Sequence, residues 1–425
     1  MVEETDIAVV GAGGGGAVLA LALAQKGIKT IVLEQAPGPP QGLRGEILQP
    51  NGQQVLDRLG LLNKLPVSST RTVHQFHFCR VGGQRLCTID YRDLPPPYNQ
   101  AVVTLPNVAH HAIVDAVERE PSVSLRSRAT FTGLLREKGR GRVVGLTATQ
   151  GDQERTIKAK VVVGADGAFS KVREALQIPA DLYLYPQGYL IALLDAAIPM
   201  GEAKYFVGKR TILGLFPAAG DKVYAFYMIK TGSYDQVKAQ GLSSLQNAWI
   251  AIDPSSEPIF RTLIDWKQTA FLPTGRVRTP TWVADGAVLV GDAAHAMNPH
   301  ASQGRMQAMV DAMTLADLLP ECLATNDYSA AILKRYEESR RPHVAMLQKL
   351  ADEQVLFWNT ANPLIGFLRD RVFSTLDRNA RLRYRVLSTT AGLRKDPPFG
   401  MLDRLMAAGF LPDPSARDMA AGGIR

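Results

Sequence analysis

The chain has 425 residues, too many for one simple core, and two or three structural units are expected. Its balance of 46% hydrophobic and 21% charged residues is that of an ordinary soluble globular protein, and three cysteines at no metal-binding spacing fit a reduced, cytoplasmic setting better than a disulfide scaffold. The net charge of +8 is a mild excess that suits an anionic cofactor, a membrane surface or simply a solvated basic face, with no nucleic-acid partner implied.

The first element is "DIAVV", a β-branched run that reads as a buried strand. "GAGGGG" follows and fits G-x-G-x-x-G with Gly11, Gly13 and Gly16. "AVLALALAQK" is then a strong helix stopped by Gly27, and "KTIVLE" is a second strand ending in Glu34. Strand, glycine loop, helix, strand and acid in this order match a dinucleotide-binding fingerprint. Glycines let the backbone approach a pyrophosphate, the helix N-terminus offers free N–H groups, and an acid such as Glu34 accepts from ribose hydroxyls. Ile7 to Gln25 is uncharged and about as long as a membrane span. It carries five glycines and follows the acidic "VEETD", and is therefore read as strand, loop and buried helix.

"RTVHQFHFCR" and "QRLCTIDY" read as strands, which would put His74 and His77 on opposite sides. "TLPNVAHHAIVDAV" reads as a helix with Asn107 placed to cap it, and His110 and His111 cannot share a face there, so no metal site is expected. "SVSLRSRATFTGLLREKGRGRVVGLTATQ" and "ERTIKAKVVVGAD" read as a β-meander. It runs into "VVVGADGAFSKVREAL", a strand–turn–helix with Asp166 and Gly167 at the turn and Ser170 near the helix start.

Residues 181–275 are strand-rich and read as an inserted antiparallel sheet, in which Tyr224 and Tyr227 either pack or line a pocket. "GAVLVGD" repeats the strand-then-acid grammar at Asp292, and Pro299 and Gly304 flank the turn into a helix with Met306, Met309, Val310 and Met313 on one side. From Thr314 onward the pattern is helical. "PLIGFLRDRVFSTLDRNARLRYRVL" mixes apolar and basic residues, as a packed helix with a basic face does, or one making weak contact with a membrane or lipophilic substrate. The tail "SARDMAAGGIR" reads as disordered.

With "GAGGGG", "ADGAFSKVR" and "GDAAHAMNP" in this order, residues 5–345 resemble the flavoprotein aromatic hydroxylases of the p-hydroxybenzoate hydroxylase fold. "RGEILQPNGQQVLDRLGLL" looks closest to the hydroxylases of quinolones and ubiquinone precursors. The resemblance implies an α/β fold: a Rossmann-like FAD-binding domain with an inserted antiparallel substrate sheet and C-terminal helices. The corresponding division is 1–72, 101–180 and 276–345 for the FAD-binding domain, 73–100 and 181–275 for the substrate domain, and 346–425 for a helical region.

It also implies that Gly11, Gly13, Gly16, Glu34, Gln35, Arg44 and Asp166 serve FAD's ADP half and its surroundings. Asp292 would meet the ribityl chain, and Pro299 to Gly304 would lie against the flavin ring, with the next helix aimed at its N1/O2 edge. By the same resemblance NAD(P)H reduces the flavin, O₂ reacts at its C4a carbon, and one oxygen passes to an electron-rich small aromatic or lipophilic substrate. A monomer or homodimer is compatible with all of this, and no catalytic side chain is assigned. His295 lies inside the third motif and is expected to be structural. A reductase of a lipophilic substrate and a non-catalytic flavin-binding protein stand as alternatives, because the motifs bind FAD and say little about the substrate.

Two departures from the family pattern stand out. "SQGRM" places Ser302 where a glycine is usual and Arg305 where methionine is common. Arg305 is expected either close to the flavin ring or substrate, where Arg305→Met would lower the flavin potential, or in solvent. Asn107 stands where the family has an FAD-contacting arginine, so FAD is expected to be held less tightly.

Overall fold

The computed structural model describes residues 2–40, 42–43, 46–138 and 141–419. Its first sheet is built on five parallel strands in the order Ala287–Leu289, Gln153–Gly164, Val2–Val10, Thr30–Glu34 and Val123–Ser127. Val9, Val32, Val162 and Val288 are fully buried, as central strands covered on both faces require. The Gly14–Ala24 helix is buried along nearly its whole length and packs on the Gly304–Thr325 helix. An apolar helix of this kind is a core helix, and no described helix is long and apolar enough to cross a membrane.

The second sheet has seven strands: Thr269–Leu272, Gln187–Asp195, Lys222–Lys230, Thr211–Ala218, Ala203–Gly208, Gln75–Arg80 and Arg85–Asp90. Alternation along Gln187–Asp195 divides its two faces. Leu190, Ala192 and Leu194 pack with Trp249 and Phe260, whereas Tyr189 and Ile191 pack with Trp358, Phe373 and Leu376 of the C-terminal helices. Those helices are Ala330–Trp358, Pro363–Arg378, Ala380–Thr390 and Met401–Ala407.

The structure departs from the sequence reading in several details. The inserted sheet is mixed, because Ala203–Gly208 runs parallel to Gln75–Arg80, and its region also contains the Tyr234–Ala239, Leu242–Ile252 and Glu257–Phe260 helices. Val123–Ser127 is the parallel edge strand beside Thr30–Glu34, and the meander proper begins at Ala129. The stretch 363–390 forms two helices, because Asn379 turns its side chain to cap the second by accepting from the Leu382 N–H. Asn107 does not cap its helix. It adopts φ 63°, and its amide instead donates to the Gly42 carbonyl at 2.9 Å. The start of the tail is pinned, with the Arg381 N–H donating to the Ala416 carbonyl, while residues 420–425 lie outside the described residues.

Candidate functional site

Three neighbouring parallel strands end in the three loops singled out above: Val10 leads into Gly11, Gly164 into Asp166, and Leu289 into Asp292. The loops therefore leave one edge of one sheet, the place where open α/β sheets bind ligands. Gly11 has φ +100°, and a Cβ on it would lie 2.4 Å from the Ala165 carbonyl oxygen. A Cβ on Gly16 would lie 1.9 Å from the Gly11 carbonyl oxygen, so this glycine allows helix and strand to touch. A Cβ on Gly13, by contrast, would meet no protein atom within 4 Å. The Gly14–Ala24 helix starts beside that open space with no side-chain cap, leaving its first N–H groups available to an anion.

The acids divide into braced and open. Glu34 accepts from the Ala12 and Ala36 N–H groups, each at 2.9 Å, which fixes its carboxylate beside the glycine loop next to the exposed Gln35. Asp166 accepts from Ser170 Oγ at 2.5 Å and from the Lys171 and Val172 N–H groups. Its carboxylate is thus engaged in capping the Lys171–Ala175 helix, while its backbone lies against Gly11. Arg173 joins the second and third motifs by donating to the Ala293 carbonyl at 2.8 Å and the Ala168 carbonyl at 2.9 Å. Asp292 begins the short Asp292–His295 helix, is exposed, and makes no side-chain hydrogen bond to another described residue. Solvent reaches it along the cleft, yet desolvation by the surrounding protein pushes its carboxyl above the ordinary range, with His295 opposing and Asp311 adding.

His295 is a strut. It is buried, its Nε2 lies 2.5 Å from Asp311, and its ring lies 4.6 Å from that of Trp282. Asp311 also accepts from the Gly291 N–H and from Arg340 Nε at 2.7 Å. Burial works to raise the Asp311 pKa, but His295 and Arg340 hold its carboxyl far below the usual range. Arg340 also donates to Gln307, Gln307 to Gln303 at 2.7 Å, and Asn51 to Gln303 at 2.9 Å. This buried chain of polar groups escaped the sequence reading. Its signal was present as Gln303, Gln307 and Asp311, four residues apart and hence on one helix face.

Pro299 opens a 3₁₀ turn over Pro299–Ala301, Ser302 has φ 54°, and Gly304 begins the long helix without a side-chain cap. The Arg305 side chain lies across the glycine loop, with its Cγ 3.0 Å from where a Gly14 Cβ would be. It sits on the side of the N-terminal loop and does not line the cavity described next. Arg44 lies outside the described residues.

Beside Ser302 opens a cavity of about 990 Å³ between the second sheet and the C-terminal helices. Its wall includes Phe76, Phe78, Tyr205, Trp358, Phe373 and His300. His300 is buried, its Nε2 lies 2.8 Å from the Tyr189 hydroxyl, and burial pushes its pKa down to about 3. His300 was not singled out in the sequence. Tyr224 is fully buried in the sheet, donating to the Thr104 carbonyl, and Tyr227 packs on Trp249. No group of three or more His, Cys, Asp or Glu that could hold a metal occurs among the described residues.

An open glycine cradle, an uncapped helix start and an unpartnered carboxylate in the cleft fit a dinucleotide cofactor, and the fold is that of a flavoprotein. The chain belongs to the FAD binding domain family, whose model matches residues 4–351. It is 30% identical over 346 residues to 6-methylpretetramide 4-monooxygenase of Streptomyces rimosus, covering 80% of this chain and 81% of that protein. In fold it is similar to p-nitrophenol 4-monooxygenase PnpA from Pseudomonas putida DLL-E4, with TM-score 0.81, 19% identity, and coverage of 92% of this chain and 100% of that one. It is also similar to P. aeruginosa PqsL in complex with 2-aminobenzoylacetate, with TM-score 0.76, 21% identity, and coverage of 86% and 99%. The protein is an FAD-dependent monooxygenase.

Proposed function

We propose that the protein hydroxylates a small aromatic substrate held in the cavity beside Ser302, using NAD(P)H and O₂. The observation that carries this reading is the position of that loop. Pro299 to Gly304 links the cleft of the glycine motifs to an aromatic-lined cavity large enough for a drug-sized ligand. FAD, when bound, supplies the redox and oxygen-activating chemistry.

The chain's own groups would then divide the work. Gly11, Gly13 and Gly16 shape the loop so that the helix start at Gly14 can hold the pyrophosphate. Glu34, braced by two N–H groups, keeps acceptor capacity for ribose hydroxyls, with Gln35 alongside. Asp292 is the acceptor for the ribityl chain. Pro299 and Gly304 present backbone to the flavin ring, and the N-terminus of the Gly304–Thr325 helix favours negative charge there. Asp166 supports the site through its cap and the backbone it holds against Gly11. Arg44 is the remaining assigned contact. Arg305, lying over Gly14, serves the pyrophosphate and leaves the ring edge alone, so Arg305→Met weakens FAD binding more than it shifts the potential. The apolar wall keeps water from the reacting centre. The unpaired buried thiols Cys79, Cys87 and Cys322 favour a reducing, cytoplasmic setting, with the protein as a monomer or homodimer.

The test is the absorbance spectrum of the purified protein, followed by NAD(P)H oxidation and oxygen uptake with a panel of phenols, quinolones and quinone precursors. Flavin bands, together with a compound that accelerates both and gains one oxygen atom, support the reading. Turnover without oxygen uptake would replace it with a reductase, and absence of flavin binding after FAD is added would overturn it.

A further inference from the structure

The wall of the cavity limits what can enter it. Among the described residues, its charged side chains are Lys349, Glu353 and Arg404, all from the outer helices. Lys349 and Arg404 are exposed, and Arg404 pairs with Glu353 at 3.4 Å. The inner wall is aromatic and aliphatic, with Phe78 stacked on Tyr205 at 5.4 Å and on Phe373 at 4.8 Å. A carboxylate drawn into that interior would lose its hydration and meet no cation among these groups. At about 990 Å³ the cavity is also at the upper end of the ~300–1,000 Å³ range of ligand pockets, far more than one ring requires.

Several polar groups in this apolar wall have hydrogen-bonding capacity to spare, among them Gln354, whose Oε1 is buried without a partner among the described residues. Two of them are carried by the sheet and the Pro299–Gly304 loop: the Tyr205 hydroxyl, and Nδ1 of His300, whose hydrogen bond to Tyr189 uses only Nε2. His300 is held by Tyr189 on Nε2 and by the Trp358 ring, whose centroid lies 5.3 Å away and nearly perpendicular. A tyrosine hydroxyl can donate or accept, so the Tyr189 contact lets Nδ1 be either acceptor or donor. The partner that suits such a group is itself amphoteric, namely a ring hydroxyl.

Building on the hydroxylase reading, we propose that His300, oriented by Tyr189, receives the substrate's ring hydroxyl, and that the substrate is a neutral, multi-ring, hydroxylated aromatic. The neutral imidazole that burial enforces suits this role, since it neither repels nor ionises its partner. Tyr205 offers a second contact for a carbonyl or hydroxyl farther along the ring system.

The test is a titration of the FAD-loaded enzyme with three probes, read by the perturbation of flavin absorbance: 2-hydroxyanthraquinone, anthraquinone and 4-hydroxybenzoate. The wild type is expected to bind the hydroxylated probe at least tenfold tighter than anthraquinone, and 4-hydroxybenzoate at least a hundredfold more weakly than either. His300→Phe is expected to abolish the tenfold preference while leaving anthraquinone affinity within threefold. Tyr189→Phe, which leaves the loop intact, is expected to reduce the preference several-fold and guards against misfolding of the first variant. An undiminished preference in both variants, or tight binding of 4-hydroxybenzoate, would overturn the assignment. Oxygen uptake separates it from the reading beneath it. Uptake driven by 4-hydroxybenzoate alone would keep the hydroxylase and discard the substrate class, whereas the predicted binding pattern with no probe driving uptake would keep the binding role and discard the hydroxylase.

Discussion

Gly13, at the end of the loop, and Gly16, in the first turn of the helix that follows, answer to different constraints. At Gly16 a methyl group would overlap the Gly11 carbonyl oxygen at 1.9 Å, a collision between two backbone segments that no rotamer relieves. At Gly13 φ is −67°, which alanine adopts freely, and the space beyond is open. Gly16→Ala is therefore expected to destabilise the apoprotein by several kcal/mol, as overpacking against backbone does. Gly13→Ala is expected to leave the apoprotein's melting temperature unchanged and to raise the FAD dissociation constant at least tenfold. Thermal melts with and without FAD separate the two, and equal apoprotein losses in both would show that the loop has no cofactor-facing side.

Ser302 supplies the opposite case. It holds φ 54°, a left-handed conformation that costs a residue with a Cβ about 1–2 kcal/mol. The added freedom of glycine in the unfolded chain returns roughly 0.4–1 kcal/mol of that. Ser302→Gly is thus expected to stabilise the fold by up to about 1.6 kcal/mol, read as a higher denaturation midpoint at unchanged slope.

Between residue and fold lie the elements that hold the loops in register, and here burial sets the response to acid. His300 is pushed down to about 3 and His343 to about 4, both by desolvation, the latter with help from Arg340. An unfolded histidine takes its proton near pH ~6.5. Between roughly pH 6.5 and 4 the unfolded chain therefore binds more protons than the folded one, and stability falls as pH falls, by up to about 1.4 kcal/mol per pH unit for each group. Asp311 acts lower down. Its depressed pKa contributes stability that is complete above about pH 4 and is lost as pH drops toward its folded value. His343→Leu is expected to remove about one proton from the slope of urea stability between pH 6.5 and 4, and an unchanged slope would refute the assignment.

These elements also show what a linear sequence conveys. The strands and glycine loops were legible because each is a local pattern: a β-branched run, a turn residue, an apolar helix. Arg173 reaching Ala293 and the chain from Asn51 to Asp311 were not, because their partners lie far away in sequence. Asp166 as a cap was missed although its partners Ser170 to Val172 are close by, because Ser170 is itself the usual kind of capping residue at that helix start. His300 was passed over because one histidine in a loop gives no period to read, and its meaning comes from Tyr189 on the other sheet. Asn107 was misread as a cap because the residue type is right and only its backbone angle forbids it.

At the scale of the whole molecule, three loops from one sheet converge on a space that the protein alone does not fill, and the buried chain from Asn51 through Gln303, Gln307 and Arg340 ties that space to the C-terminal helices. A ligand bound there by the folded chain only must stabilise the whole fold by mass action, about 2.7 kcal/mol at a hundred times its dissociation constant. Removing FAD is therefore expected to lower the melting temperature by several degrees, and re-adding it should restore the loss in proportion to the logarithm of its concentration. Asp292→Ala separates the cofactor's share from that of the scaffold. The carboxylate is exposed to the cleft and makes no side-chain hydrogen bond to another described residue, so its removal is expected to cost the apoprotein little. In the loaded protein the same change removes the proposed ribityl acceptor, and the increment conferred by FAD should shrink. An apoprotein that loses as much stability from Asp292→Ala as the loaded form would make Asp292 a structural residue and would move the ribityl site elsewhere along the cleft.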